Sequence, residues 1–112
     1  MKINKNDENH YYWGDHCEAW TLLDSEKGII KEELMPPYTE ELLHFHNETI
    51  QVFYILSGEA TFIIDNLKFR ILPNECLQIQ KNQTHKICNN SPNELRFLVI
   101  SLPGNKGDRT NL

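Results

Sequence analysis

Short apolar segments separated by tight turns fill the chain from residue 51 to residue 102, and this alternation limits the fold more than any other feature. Residues 51–56 are rich in β-branched and aromatic side chains, and residues 60–64 form a matching return segment. Asp65-Asn66 then suits a two-residue hairpin turn, because Asp and Asn tolerate positive φ. No segment shows a convincing 3.6-residue apolar period. The pattern predicts an all-β sandwich or barrel.

The 112 residues are enough for one domain. We therefore expect a single domain over residues 1–112, with its core barrel at about 18–102, an N-terminal arm at 1–17 and an irregular tail at 103–112. Residues 40–43 allow at most one helical turn, since prolines precede them and histidines follow.

Composition and charge exclude several classes of partner. The formal net charge is −5 with no basic run, so a phosphate backbone would be repelled and nucleic-acid binding is not expected. No apolar run approaches the ~18 residues of a membrane helix, and the N-terminus has no segment resembling a secretory signal. The three cysteines are widely spaced without a CxxC pair, as in a reduced protein. We expect a cytoplasmic protein without membrane or nucleic-acid partners.

His44 and His46 are separated by one residue. On a β-strand this spacing puts both rings on the same face, because side chains alternate along a strand. Two imidazoles so placed can share a metal ion at about 2.0–2.1 Å from each nitrogen. H-x-H alone is a weak signal, so the surrounding spacing matters.

The residues after this pair resemble the first motif of the cupin superfamily, which reads H-x-H, three or four residues, E, six residues, G. His44, His46 and Gly58 match this motif, with Gln51 in place of the glutamate. The second cupin motif ends in H, three residues, N, which His85 and Asn89 match.

The second motif departs from the cupin pattern at Asn74, Gln80 and Asn82, which replace Gly, Pro and Gly. Asn is a mild replacement, because after Gly it best accepts a left-handed backbone. The resemblance covers nearly the whole chain and is closest to small single-domain bacterial cupins.

The resemblance implies a double-stranded β-helix, the jelly-roll cupin barrel also called RmlC-like. It also implies one divalent metal ion, either Fe, Mn, Ni, Zn or Co, bound by His44, His46, Gln51 and His85. Gln51 removes one negative charge from such a site, which weakens binding of a divalent cation. Two arrangements stay open: the amide oxygen ligates, or three histidines hold the metal alone with open positions.

Strand alternation suggests the walls of a pocket around these residues. If Gln51 faces the interior, Phe53 and Ile55 do so too, and Ile87 joins His85. Alternation does not decide which of Glu32 and Glu33 faces inward, and we take Glu33 as the candidate. A mostly apolar pocket with a few polar groups suits a small-molecule ligand or substrate.

The resemblance leaves two functions open, and no residue beyond the ligands stands out as a dedicated acid or base. The first is a metal-dependent enzyme on a small organic molecule, either a dioxygenase or an isomerase or lyase. The second is a non-catalytic module that binds or senses a small metabolite or sugar. We also expect a homodimer, because so small a barrel has open edges to cover.

Overall fold

The computed structural model describes residues 1–104 and 107–112, which form two antiparallel sheets. The strands are β1 (His10–Trp13), β2 (Cys17–Asp24), β3 (Ile29–Met35), β4 (Thr39–Glu40), β5 (His44–His46), β6 (Ile50–Ser57), β7 (Ala60–Ile64), β8 (Leu67–Ile71), β9 (Cys76–Ile79), β10 (His85–Asn89), β11 (Leu95–Leu102) and β12 (Arg109–Asn111). Within the described ranges there is no helix, and so none with the length and apolarity needed to cross a membrane. The all-β prediction is confirmed.

Two six-stranded sheets pack face to face. One sheet has the order β1-β2-β3-β11-β6-β9, and the other has β12-β5-β10-β7-β8, with β4 also paired to β10. Neighbours in each sheet are mostly distant in sequence, as in a jelly roll. This topology places β5 and β10, which carry the three motif histidines, in one sheet and Gln51 of β6 in the other.

The tight turns are built on asparagine and aspartate in left-handed conformation. Asp65 and Asn66 have φ of 48° and 68° in the two-residue turn between β7 and β8, as expected for this hairpin. Asn74 and Asn82 have φ of 69° and 66°. These two residues stand where the motif has glycine, so the expectation that Asn would keep the turns is confirmed.

The core lies between the sheets and is formed by alternate residues of each strand. Along β6, Phe53 is 4% exposed and Ile55 fully buried. The Phe53 ring is 5.0 Å from that of Phe62 on β7 and 5.8 Å from that of Phe97 on β11, measured between centroids. Each such side chain contributes about 1.5–3 kcal/mol when removed from water, so this layer sets the register of the strands behind the histidines.

Gly58, the glycine of the first motif, is required by both conformation and space. Its φ is +83°, and a Cβ at this position would lie 2.4 Å from the backbone oxygen of Glu94. The close approach of two backbones fixes the turn between β6 and β7 against the start of β11.

Three short strands lie where the sequence pattern indicated none. β1 lies in the segment expected as an arm, β12 in the tail expected to be irregular, and β4 where a helical turn was allowed. They have only two to four residues, and none of them alternates between apolar and polar side chains, so the two-residue period could not reveal them. Residues 105–106 of the expected tail lie outside the described part of the chain.

Candidate metal centre

Strand pairing brings the three motif histidines to one point. His85, the first residue of β10, is directly paired with His44 of β5, and His46 lies two residues further on the same face. The ring centroids are 4.2 Å apart for His44 and His85, 5.1 Å for His44 and His46, and 5.8 Å for His46 and His85. One nitrogen from each ring lies within 4.8 Å of the others.

These three rings are buried and uncharged. All three are at most 2% exposed. Burial, with the neighbouring His85 as the next cause, lowers the pKa of His44 to about 3 and that of His46 to about 4. Burial also lowers the pKa of His85. At neutral pH each ring therefore keeps a lone pair, which a metal requires.

Backbone carbonyls decide which nitrogen holds that lone pair in two of the rings. His44 Nδ1 lies 2.8 Å from the carbonyl oxygen of Leu42, and His85 Nδ1 lies 2.9 Å from that of Gln83. A carbonyl oxygen only accepts, so both Nδ1 atoms must donate. The lone pairs are thus on Nε2, as in metal-ligating histidines whose other nitrogen is held by a carbonyl.

His46 has no hydrogen bond from either ring nitrogen to any residue in the described part of the chain, although only 2% of it is exposed. Its Nδ1 is 4.0 Å from Asp108, too far for a hydrogen bond. A buried polar atom without a partner costs roughly 1–3 kcal/mol. A cation at the centre of the cluster would give this ring its missing partner.

The Gln51 amide faces the same cluster with its oxygen. Its Nε2 donates to Ser101 Oγ at 3.1 Å, and its Oε1 lies 3.2 Å from His85 Nε2. Because His85 donates through Nδ1, its Nε2 and the amide oxygen present two lone pairs to each other. A positive ion near both atoms would turn this repulsion into attraction, so the side chains at this point fit a divalent metal.

A cavity of about 210 Å³ opens beside the cluster. Its polar lining residues, besides the cluster, are Tyr11, Lys31, Glu33, Glu41, Ser101 and Arg109. Its apolar lining residues are Trp13, Phe53, Ile87, Phe97 and Val99. Ile55 was expected to line the pocket, and this expectation is wrong. The side chain faces inward but packs into the core and does not line the cavity. Alternation gives the face of a strand, not how far along the strand a cavity reaches.

Glu33 lies inside the cavity and Glu32 lies outside it, which settles the choice that alternation left open. Glu32 is paired with Lys5 at 2.6 Å and with Arg96 at 3.2 Å. Loss of hydration in the cavity raises the pKa of Glu33 to about 7, while the charge of Lys31 lowers it in part. The buried indole nitrogen of Trp13 faces Glu33 and favours its ionised form, although it lies outside strict hydrogen-bond geometry.

Glu41 is a second carboxyl in the cavity, and only its place three residues before His44 could have indicated it from the sequence. Its Oε1 accepts from the backbone N–H of Ile87 at 3.0 Å and lies 4.0 Å from His44 Nδ1. Burial raises its pKa to about 8, against the opposing charge of Arg109. Two carboxyls with raised pKa, those of Glu33 and Glu41, therefore line the cavity beside the histidines, where the sequence singled out no dedicated acid or base.

The C-terminal strand β12 closes one side of the cavity. It pairs with β5, so that Arg109 is opposite His46. Asp108 accepts hydrogen bonds from the backbone N–H groups of Asn47, Glu48 and Thr49 at 3.1–3.2 Å. Arg109 lines the cavity, and its Nη1 lies 3.7 Å from Glu41 Oε2. Sequence reasoning missed Arg109, and also Tyr11 and Lys31, because they come from strands far apart in sequence.

Comparison with known proteins agrees with the family resemblance of the sequence motifs. A family model described as a cupin domain matches residues 31–101 of this chain. A protein of Methanocaldococcus jannaschii, named only as uncharacterized, is 31% identical over 77 residues. That match covers 69% of this chain and 62% of the archaeal protein, so the chain spans less than two thirds of its relative's length.

Solved structures share the fold over 78–99% of this chain. A Klebsiella pneumoniae protein with a double-stranded β-helix domain superposes with a TM-score of 0.83 at 18% identity, covering 99% of this chain and 96% of that one. A Thermotoga maritima protein described as a predicted oxalate decarboxylase superposes with a TM-score of 0.74 at 25% identity, covering 78% of this chain and 80% of that one.

Proposed function

Because this chain belongs to the cupin domain family, we propose that it is a metal-dependent enzyme of the isomerase or lyase type that acts on a small organic molecule. The observation that carries the proposal is the convergence of three buried, uncharged histidines, of which His46 lacks any other partner in the described residues. His44, His46 and His85 would hold the ion, with the Gln51 oxygen beside them. A divalent metal bound there supplies Lewis acidity at open coordination positions.

The chain's own contribution to the reaction is proton transfer at Glu33. With a pKa of about 7, this carboxyl is present in both protonation states at neutral pH, which suits a general acid and base. Glu41 suits the role less well, because its carboxyl already accepts from Ile87 and lies near Arg109. Carboxyls poised beside the ligands favour isomerase or lyase chemistry over a dioxygenase, whose oxygen chemistry needs no such group.

The metal site is tested by elemental mass spectrometry on untagged protein after incubation with Mn²⁺, Fe²⁺, Co²⁺, Ni²⁺ or Zn²⁺. We expect about one ion per chain, lost in His85→Ala and kept in His16→Ala, whose side chain is 87% exposed. His46→Gln serves as a second variant if His85→Ala does not fold. Absence of bound metal in the wild type with every ion would refute the proposal.

The reaction class is tested by screening metal-loaded protein against small organic acids and sugars by NMR, with oxygen uptake recorded in parallel. We expect turnover without oxygen consumption, reduced at least ~100-fold in Glu33→Gln at unchanged metal content. Oxygen consumption would assign the protein to the dioxygenases. Saturable binding without turnover would support the alternative function, a non-catalytic module that senses a small metabolite or sugar.

We also propose a cytoplasmic homodimer without membrane or nucleic-acid partners. The three cysteines are free thiols and the net charge is −5, which support a reducing compartment and argue against a phosphate backbone. Analytical ultracentrifugation should give about twice the mass of one chain, and a single-chain mass at micromolar concentration would contradict the dimer.

A further inference from the structure

We infer that the substrate or ligand of this cavity is a short organic acid, bound through its carboxylate by the metal and by Lys31 and Arg109 at the rim. The inference rests on the proposed metal site and deepens it by naming the class of molecule. It follows from the charges that line the cavity, the partners of the two cations, and the size and polarity of the walls.

The charges around the cavity do not balance once a divalent ion is bound. The four side chains at the ion are neutral, since Gln51 stands where a glutamate would supply one negative charge. The remaining charged lining residues are Lys31, Glu33, Glu41 and Arg109. Even with both glutamates ionised, these four cancel. The Asp108 carboxylate, 4.0 Å from His46 Nδ1 and outside the cavity lining, offsets part of the metal's charge, and a net positive charge remains. An anionic ligand compensates this excess in a partly dehydrated cavity, and a neutral one does not.

Lys31 lies at the rim with no carboxylate of the described residues in direct ion-pair contact, although its charge acts on Glu33 in the same cavity. Its Nζ donates to Tyr11 Oη at 2.6 Å and lies 5.1 Å from the centre of the Tyr11 ring. No carboxylate of the described residues lies within ion-pair distance of it, in contrast to Lys5, Lys86 and Arg96. Lys31 and Glu33 are two residues apart on β3 and therefore lie on the same face, toward the cavity. An ammonium that donates only to a tyrosine hydroxyl, with no carboxylate within ion-pair distance, suits an incoming carboxylate.

Arg109 lies across the rim on β12. Its Nε donates to Asn111 Oδ1 at 2.8 Å, and only its two Nη groups are loosely engaged. Its Nη2 lies 3.5 Å from the carbonyl oxygen of Leu42 and its Nη1 3.7 Å from Glu41 Oε2, both long for charge-assisted bonds. The side chain is 40% exposed. Because its two Nη groups are not firmly bonded, the guanidinium can donate two parallel N–H bonds to the oxygens of a carboxylate.

The remaining walls limit the size of the acid. The cavity of about 210 Å³ is smaller than the ~300–1,000 Å³ typical of ligand pockets. Phe53, Ile87 and Val99 provide an apolar wall against which a few methylene groups can pack. Two glutamates in the lining disfavour a phosphate group, which carries more negative charge than a carboxylate. These constraints select a short aliphatic mono- or dicarboxylate.

Isothermal titration calorimetry on the Co²⁺-loaded protein tests this with malonate, butyrate, inorganic phosphate and xylose, with the cobalt absorption spectrum recorded alongside. We expect malonate to bind with a submillimolar Kd and to alter the spectrum, and xylose not to bind. Lys31→Gln and Arg109→Gln should each weaken malonate binding at least tenfold. Lys68→Gln, which removes an exposed charge on β8, should leave it unchanged.

Gln51→Glu gives a result that a general loss of folding cannot imitate. The added negative charge should strengthen metal binding and weaken malonate binding at the same time, each by about tenfold. If the protein takes up metal but binds xylose as well as malonate, or phosphate more tightly, the carboxylate inference is wrong and the metal site stands. If the wild type takes up no metal, both the inference and the proposed function fail.

Discussion

At the scale of single residues, Ser101 decides which end of the Gln51 amide reaches the histidine cluster. It is 3% exposed on β11, and its hydroxyl accepts the amide N–H at 3.1 Å. The amide oxygen is left 3.2 Å from His85 Nε2. A glutamine can serve a metal only through its oxygen, so a neutral residue at this position needs a neighbour that fixes its orientation, whereas a carboxylate does not.

Ser101→Ala should therefore lower metal affinity about tenfold in the wild type and much less in the Gln51→Glu background. The loss of a buried hydrogen bond should also reduce the free energy of unfolding by about 1–3 kcal/mol. Metal titration of the four proteins as a double-mutant cycle measures the coupling, with Ser57→Ala at the exposed end of β6 as control. Equal losses in both backgrounds would contradict the orienting role.

At the scale of elements, turns and edge strands hold the ligands more than the long central strands do. The histidine strand β5 has only three residues and pairs with β10 through the single register position of His44 and His85. On its other side β12 pairs with all three residues. The turn at Gly58 fixes the start of β7 against β11, and β7 in turn pairs with β10.

Gly58→Ala should destabilise the protein by at least ~3 kcal/mol, since a left-handed alanine costs roughly 1–3 kcal/mol and its Cβ would also lie 2.4 Å from the Glu94 oxygen. Gly107→Ala is the matched control. It has a similar φ of +73° but meets no atom within 4 Å among the described residues, so only the conformational cost remains. Urea denaturation of both variants separates the backbone strain from the steric clash with Glu94. Equal losses in the free energy of unfolding would show that the clash contributes nothing.

Asp108→Ala should speed metal release and lower affinity at least tenfold with little change in secondary structure. The carboxylate caps three backbone N–H groups directly after His46, and its loss frees the end of β5. Stopped-flow chelation measures the release rate, with the exposed Asp7→Ala as control. An unchanged release rate would show that the Asp108 hydrogen bonds are not needed to hold β5 in place.

At the scale of the whole molecule, the cavity combines two kinds of titratable group: histidines that destabilise the fold as the pH falls, and glutamates that destabilise it as the pH rises. Three histidines have pKa values below the ordinary 6.5, so the unfolded chain binds more protons and stability falls as the pH falls below about 6.5. Glu33 and Glu41 have pKa values of about 7 and 8, above the ordinary 4.5, so their contribution to stability is lost as the pH rises between 4.5 and 8.

The metal-free protein should accordingly have a stability maximum near pH 6, to within about one unit. Urea denaturation between pH 4.5 and 8.5 in the presence of a chelator measures this curve. Glu33→Gln should flatten its alkaline side and His44→Gln its acid side, because each removes one of the opposing groups. A free energy of unfolding that rises steadily to pH 8 would show that ionising the two glutamates does not destabilise the folded protein.

Sequence alone predicted most of the sheet architecture and the ligand histidines as candidates. The strands rest on local patterns, namely the two-residue alternation of β6, β7 and β11 and the asparagine turns. The histidines rest on the spacing of His44 and His46 and, for His85, on the resemblance to the cupin motifs. Alternation also placed Phe53 and Ile87 beside the cluster, where they line the cavity. A strand's period and a turn's φ preference act over a few residues, so they can be read directly from the chain.

The rest of the site was decided by tertiary structure. Tyr11, Lys31, Glu41 and Arg109 come together at the cavity from β1, β3, the segment after β4 and β12. Their meeting depends on pairings between strands far apart in sequence, and β1, β4 and β12 are too short to leave a period in the sequence. The loss of hydration that raises the pKa of Glu33 likewise exists only once the two sheets enclose it. Local periodicity and motif spacing determined the barrel and its candidate metal-binding histidines, and the long-range closure of the sheets determined which charges face them.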